Sequence, residues 1–144
     1  MKTIALRFGE QFSPECGTIA AHEEIIESLG YVWYGKMGSK ISEKMIKEIM
    51  ASDSPRILLI RSGKTERYWA EVKEIQYGVP EKEAIPEYYR DIAGTFKTWF
   101  KIEKFVLADK DVMSKCVVAS SGKFLGEASK HSMSPYFIIN APTG

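Results

Sequence analysis

The run Arg56 to Arg61, RILLIR, is the segment that most limits what this chain can fold into. Its apolar core is too short for a helix, and it is apolar at consecutive positions. That is the pattern of a strand covered on both faces. The turn-forming SGKTE follows, and then RYWAEVKEIQY, whose apolar and polar residues alternate as in a strand with one face buried. The two segments predict a hairpin, and helices or further strands must cover both faces of its first strand.

The rest of the chain supplies them. Lys2 to Phe8 and YFIIN (Tyr136 to Asn140) are predicted strands, as is TFKTWFKIEKFVL (Thr95 to Leu107). TIAAHEEIIESLG places Ile19, His22, Ile25, Ile26 and Leu29 on one side of a helix, with Thr18 as the expected N-cap and Gly30 as its stop. A strand YVWYGK (Tyr31 to Lys36) follows. A second helix starts at Ser42, with Ile41 and Ile46 spaced as a hydrophobic staple. GEQFSPECG is a loop. The stretch from Gly78 to Gly94, with Pro80, Pro86 and the pair Tyr88-Tyr89, is a long ordered loop of the kind that carries a task. The tail gives a helical turn near Asp109 to Met113, a strand around Cys116 to Ala119 and a glycine-containing segment from Ser121 to His131. With five to seven strands, inserted helices and no regular βαβ rhythm, the fold class is α+β on a strongly bent or closed sheet. No repeat or linker divides residues 1–144, so a single domain is expected.

Composition narrows the function. The formal net charge is +1, so nucleic-acid binding by overall charge is excluded and must come from local patches. One such patch runs from Arg56 to Lys73, and Lys97, Lys101 and Lys104 make a second. Cys16 and Cys116 suit a reduced, cytoplasmic protein and no Cys/His spacing calls for zinc, so neither metal nor cofactor is expected. No apolar run is long enough for a membrane span, and the N-terminus lacks the features of a signal peptide. Phosphate loops, nucleophile elbows and HExxH are missing, and SSGKF (Ser120 to Phe124) lacks phosphate-loop spacing. His22 is expected in the core or at its boundary, and His131 at the surface.

Taken in order, a helix running into GYVWYGK, the hairpin ILLIRSGKTERYWAEVKEI, IPEYY, TWFKIEKF and SKHSMSPYFIIN resemble the PUA-like superfamily. The likeness is strongest to its EVE/YTH branch, and there to the EVE-like modules at the N-terminus of modification-dependent restriction enzymes. That resemblance implies a mixed, partly closed β-barrel flanked by short helices. It also implies a pocket in which aromatic rings sandwich a modified, commonly methylated, base flipped from DNA or RNA. A separate nuclease or motor subunit would act on what the domain reads.

The resemblance assigns the base pocket to Trp33, Tyr34, Ser62, Tyr68, Trp69, Tyr89 and Trp99, with Tyr88 a further candidate. Trp33 and Tyr34 are consecutive, so a strand can turn only one of them inward; the family's position after the first helix favours Trp33. Ser62, Ser39 and the backbone near Gly35 and Gly63 would read the base edge, and Lys36, Lys40, Arg61, Lys64 and Lys130 would meet phosphates. A competing resemblance is to the ASCH group, small amidohydrolases that act on modified nucleosides. There Lys36 would be base, Ser39 nucleophile and Glu71 proton partner. A protein-interaction module whose aromatics bury a peptide is the third reading.

Overall fold

The computed structural model describes residues 1–8, 17–36, 38–61, 66–132 and 134–142. Its elements are β1 (Lys2–Arg7), α1 (Thr18–Leu29), β2 (Val32–Lys36), α2 (Glu43–Met50), β3 (Arg56–Ile60), β4 (Tyr68–Gln76), β5 (Thr98–Leu107), α3 (Val112–Lys115), β6 (Val117–Val118), α4 (Leu125–His131) and β7 (Tyr136–Asn140). Two 3-10 stretches, Lys82–Ala84 and Glu87–Thr95, lie between β4 and β5. Where a long loop is expected, the chain is therefore wound into short turns.

The described strands form one mixed sheet of seven, in the order β2-β5-β4-β3-β1-β7-β6. The predicted hairpin is β3 against β4, antiparallel, with Leu58 opposite Trp69. RILLI is its buried member, with Ile57 to Ile60 at 2% exposure or less. β1 joins the sheet by lying parallel to β3 on one side and antiparallel to β7 on the other. Register shifts in the β4–β5 ladder at Glu71/Val72 and Val72/Glu74 mark bulges, which bend a strand and increase its twist. The sheet is curled but its ladder does not close, since β2 and β6 remain its edges. The curl brings the Lys36 ammonium of β2 to 4.4 Å from the Tyr136 ring of β7.

Three apolar clusters fill the two faces. The largest joins Ile4, Leu6, Val32, Tyr34, Ile57, Leu59, Phe100 and Ile102 to Met45 and Ile49 of α2. On the opposite face Ala5, Leu58, Trp69 and Ile139 pack with Leu125 of α4 and Val112 of α3. The third sets Trp33 and Trp99 of β2 and β5 against Ala84, Ile85, Tyr89, Ala93 and Phe96. None of the helices in the described residues is long and apolar enough to cross a membrane.

Local signals account for most boundaries. Ser42 Oγ accepts the Met45 N–H at 3.1 Å, an N-cap bond, and Ile41 and Ile46 both join the main cluster. Gly30 ends α1 at φ 86°, its N–H bonded to the Ile26 carbonyl at 2.7 Å. Thr18, by contrast, is not the cap. Gly17 holds that place and Thr18 is the first helical residue, buried beneath Tyr88.

Candidate functional site

Where β1 ends beside β2, a cavity of about 110 Å3 opens. Leu6, Arg7 and Phe8 form one wall, and Tyr34, Gly35 and Lys36 of β2 form another. Thr18 and His22 of α1 close the back. The Glu87–Thr95 stretch and its exit contribute Tyr88, Tyr89, Ile92 and Phe96, and Pro135 completes the rim. In size the space is comparable to the roughly 150 Å3 engineered cavity that takes up benzene, so it suits one flat ring.

Gly35 makes this wall possible. A Cβ there would lie 2.7 Å from Cδ2 of Phe96 and 3.0 Å from Cζ3 of Trp99, inside contact distance. Gly35→Ala must therefore displace a ring that lines the cavity. Overpacking of this kind costs about 1–3 kcal/mol, to be read as a lower denaturation midpoint with an unchanged m-value.

The polar groups are held firmly. His22 is fully buried, and burial lowers its pKa to about 4 against the raising effect of its bond to the Thr18 carbonyl. Its neutral ring donates from Nδ1 to that carbonyl at 2.7 Å, leaving Nε2 to face the Tyr89 hydroxyl at 2.8 Å. The same hydroxyl lies 3.1 Å from the carbonyl of Trp33, on the edge strand. Its one proton can serve only one of them fully at a time. Burial also pushes the Tyr89 phenol well above its ordinary pKa, so it stays a donor.

Lys36 is 3% exposed; its Nζ donates to the Ser39 carbonyl at 2.6 Å, and burial lowers its pKa from the ordinary lysine value. The Arg7 guanidinium donates to the carbonyls of Ser129, Ser132 and Ser134 at 2.7, 2.8 and 3.0 Å, tying β1 to the turn that precedes β7. Lys36 and Arg7 are the cations of the lining, and among the described residues it contains no carboxylate.

Of the residues expected in a base pocket, Tyr34 and Tyr89 line this cavity, with Tyr88 beside them. Trp33 does not: the strand alternates as expected but with the opposite phase. Its ring lies in the third cluster and its indole N–H donates to Glu81 Oε1 at 3.3 Å. Trp99 is fully buried in the same cluster, its Nε1 without a hydrogen-bond partner among the described residues. Trp69 sits on the far face, with the Arg56 guanidinium 3.9 Å from its ring centre. Tyr68 packs at the edge of the main cluster with its hydroxyl on Glu66. Ser62, Gly63 and Lys64 lie outside the described residues.

Among the expected phosphate contacts, Lys36 alone lines the cavity. Lys40 lies 4.7 Å over the Tyr77 ring, Arg61 is half-buried at the end of β3, and Lys130 is exposed on α4. Nor do Lys36, Ser39 and Glu71 converge. Lys36 takes the backbone carbonyl of Ser39, and Glu71 lies in a separate hollow with Arg56 and Trp69. Phe8, Arg7 and Phe96 were not anticipated in the lining. Nothing in their sequence neighbourhoods distinguishes them from ordinary strand and core residues.

Residues 4–136 match a family model described as Pua-like, and no curated protein or solved structure matches the chain. Domains of this family generally bind RNA or modified nucleic acids and are usually binding modules without catalysis. The match runs from within β1 to the first residue of β7 and takes in every residue that lines the cavity: the chain belongs to the Pua-like family.

Proposed function

We propose that this domain is an EVE/YTH-type reader, which binds DNA or RNA by receiving a modified, methylated base in the cavity between β1, β2 and the Glu87–Thr95 stretch. The observation that carries the reading is the lining itself: Phe8, Tyr34, Tyr88, Tyr89 and Phe96 with Lys36 and Arg7, and no carboxylate among the described residues. Extruding a base costs a few kcal/mol, and stacking on one ring returns about 1–3 kcal/mol. A pocket that only binds therefore needs several rings, and a methyl group adds apolar area for them to cover. A net charge of +1 supplies little general affinity, so discrimination rests on the pocket. Cutting or moving the strand falls to a separate subunit, and the domain works in the cytoplasm.

The test is a binding screen of single- and double-stranded oligonucleotides, DNA and RNA, bearing different methylated bases. Tighter binding of one modified strand than of its unmodified twin at physiological salt is the expected result, and a flat panel defeats the proposal. On the preferred strand, Tyr34→Leu removes a ring but keeps apolar volume, and is expected to cost about 1–3 kcal/mol of binding, measured by titration calorimetry; Tyr34→Phe is expected to retain most of it. The amidohydrolase is the second reading: burial lowers the pKa of Lys36, as a lysine base requires, although Ser39 offers it only a backbone carbonyl and Glu71 lies in a separate hollow. That enzyme would deacylate N-acylated nucleosides, which chromatography detects.

A further inference from the structure

A second hollow lies against β7, on the other side of the turn that Arg7 holds. It is wide, about 750 Å3, and open. The two meet at one place: Pro135 belongs to the first, Ser134 and Tyr136 on either side of it belong to the second, and the Lys36 ammonium of the first lies over the Tyr136 ring of the second.

The chemistry of this hollow differs from that of the cavity. Lys2, Lys123 and His131 line it together with Ser120, Ser121 and Ser132, and among the described residues no carboxylate does. Among the described residues, Lys2 alone of these is countered, by Glu48 at 3.6 Å. Ser121 Oγ accepts the Lys123 N–H at 3.3 Å and Ser132 Oγ accepts the Ser134 N–H at 3.2 Å. Each hydroxyl has thus filled an acceptor position from the backbone and keeps its own proton to give. Gly122, at φ 73°, makes the turn that sets Ser121 and Lys123 side by side. Lys123 and these hydroxyl donors, with no carboxylate in the lining among the described residues, suit a chain of phosphate oxygens, which only accept.

We infer that this hollow carries the phosphodiester backbone on one side of the bound base, so that the strand leaves the cavity over Tyr136 and runs along β7 towards the Ser120 to Lys123 turn. The inference rests on the base-pocket reading and adds to it a direction: nucleotides flanking the base on one side contribute to affinity, and those on the other do not.

The experiment uses N6-methyladenosine and 5-methylcytidine as free nucleosides, and nine-residue single strands carrying the same bases at the centre, the 5′ end or the 3′ end. Binding is titrated across a range of salt concentrations. For the parent protein the strand should bind at least tenfold tighter than the nucleoside, and one end-placed base should match the central one while the other falls back towards the nucleoside. Lys123→Gln should weaken strands several-fold, lower the salt slope by about 0.7, the value for one contact to a single strand, and leave nucleoside binding unchanged. Lys110→Gln, at a lysine lining neither cavity, should change nothing. If nucleosides bind but strands bind no tighter, or Lys123→Gln leaves the salt slope intact, the backbone groove is wrong and the base pocket stands. If neither nucleosides nor strands bind, the base pocket fails and the groove with it.

Discussion

Trp33→Ala is expected to lower the folding free energy by roughly 3–5 kcal/mol, the range for truncating a large buried aromatic residue. The ring is 3% exposed and packs with Trp99, Ile85, Tyr89 and Phe96, and its N–H holds Glu81. The same Glu81 carboxylate accepts the Tyr31 hydroxyl at 2.6 Å, so two side chains flanking β2's start hold the entry to the stretch that supplies Tyr88 and Tyr89. Truncation removes apolar contact and one of these two bonds together. Urea denaturation of Trp33→Ala, beside Trp33→Phe, which keeps most of the ring but not the N–H, measures the effect. A Trp33→Ala protein that unfolds at the parent's midpoint and has lost binding would return this residue to the base pocket.

Acidification is the second large effect. His22 is neutral in the folded protein down to about pH 4, whereas an unfolded histidine titrates near its ordinary 6.5. Between those values the unfolded chain binds a proton that the folded one refuses, so stability falls as pH falls. The full window amounts to about 3 kcal/mol, with about 2 kcal/mol gone by pH 5, before most carboxylates have titrated. Denaturation midpoints at pH 7, 6 and 5 should show the loss, and His22→Gln, less stable at pH 7, should lack this part of the slope. A parent protein equally stable at pH 7 and 5 would mean that His22 accepts its proton without opening the core.

Sequence patterns disclosed the elements whose partners lie close in the chain. The β3–β4 hairpin, the Ser42 cap and the Gly30 stop each rest on local chemistry and stand as expected. The misses depend on distant contacts. α4 buries Leu125 alone and is too short for a helical period to show. Alternation says that Trp33 and Tyr34 face opposite ways, but which of them meets the cavity depends on the layer formed by Ala84 to Phe96, far along the chain. Phe8 and Arg7 were invisible as lining residues for the same reason. Their neighbours across the cavity, on β2 and next to Pro135, become neighbours only when the sheet curls.

The place of β1 in the sheet has a consequence for how the domain forms. Of the seven described strands this one is synthesised before the others, yet one edge pairs with β3 and the other with β7, where Lys2 stands opposite Asn140. Neither partner is a sequence neighbour, and pairings of such separation carry the largest loop-closure cost and fold slowly, in milliseconds to seconds for sheet-rich domains. On the ribosome, KTIALR must therefore wait with an open edge until residues 136–140 emerge. The hairpin of β3 and β4 and the β4–β5 ladder can assemble before then. While the chain between β1 and β7 is being made, β1 thus keeps one apolar edge open, and β7, the latest of the described strands, is the one that covers it.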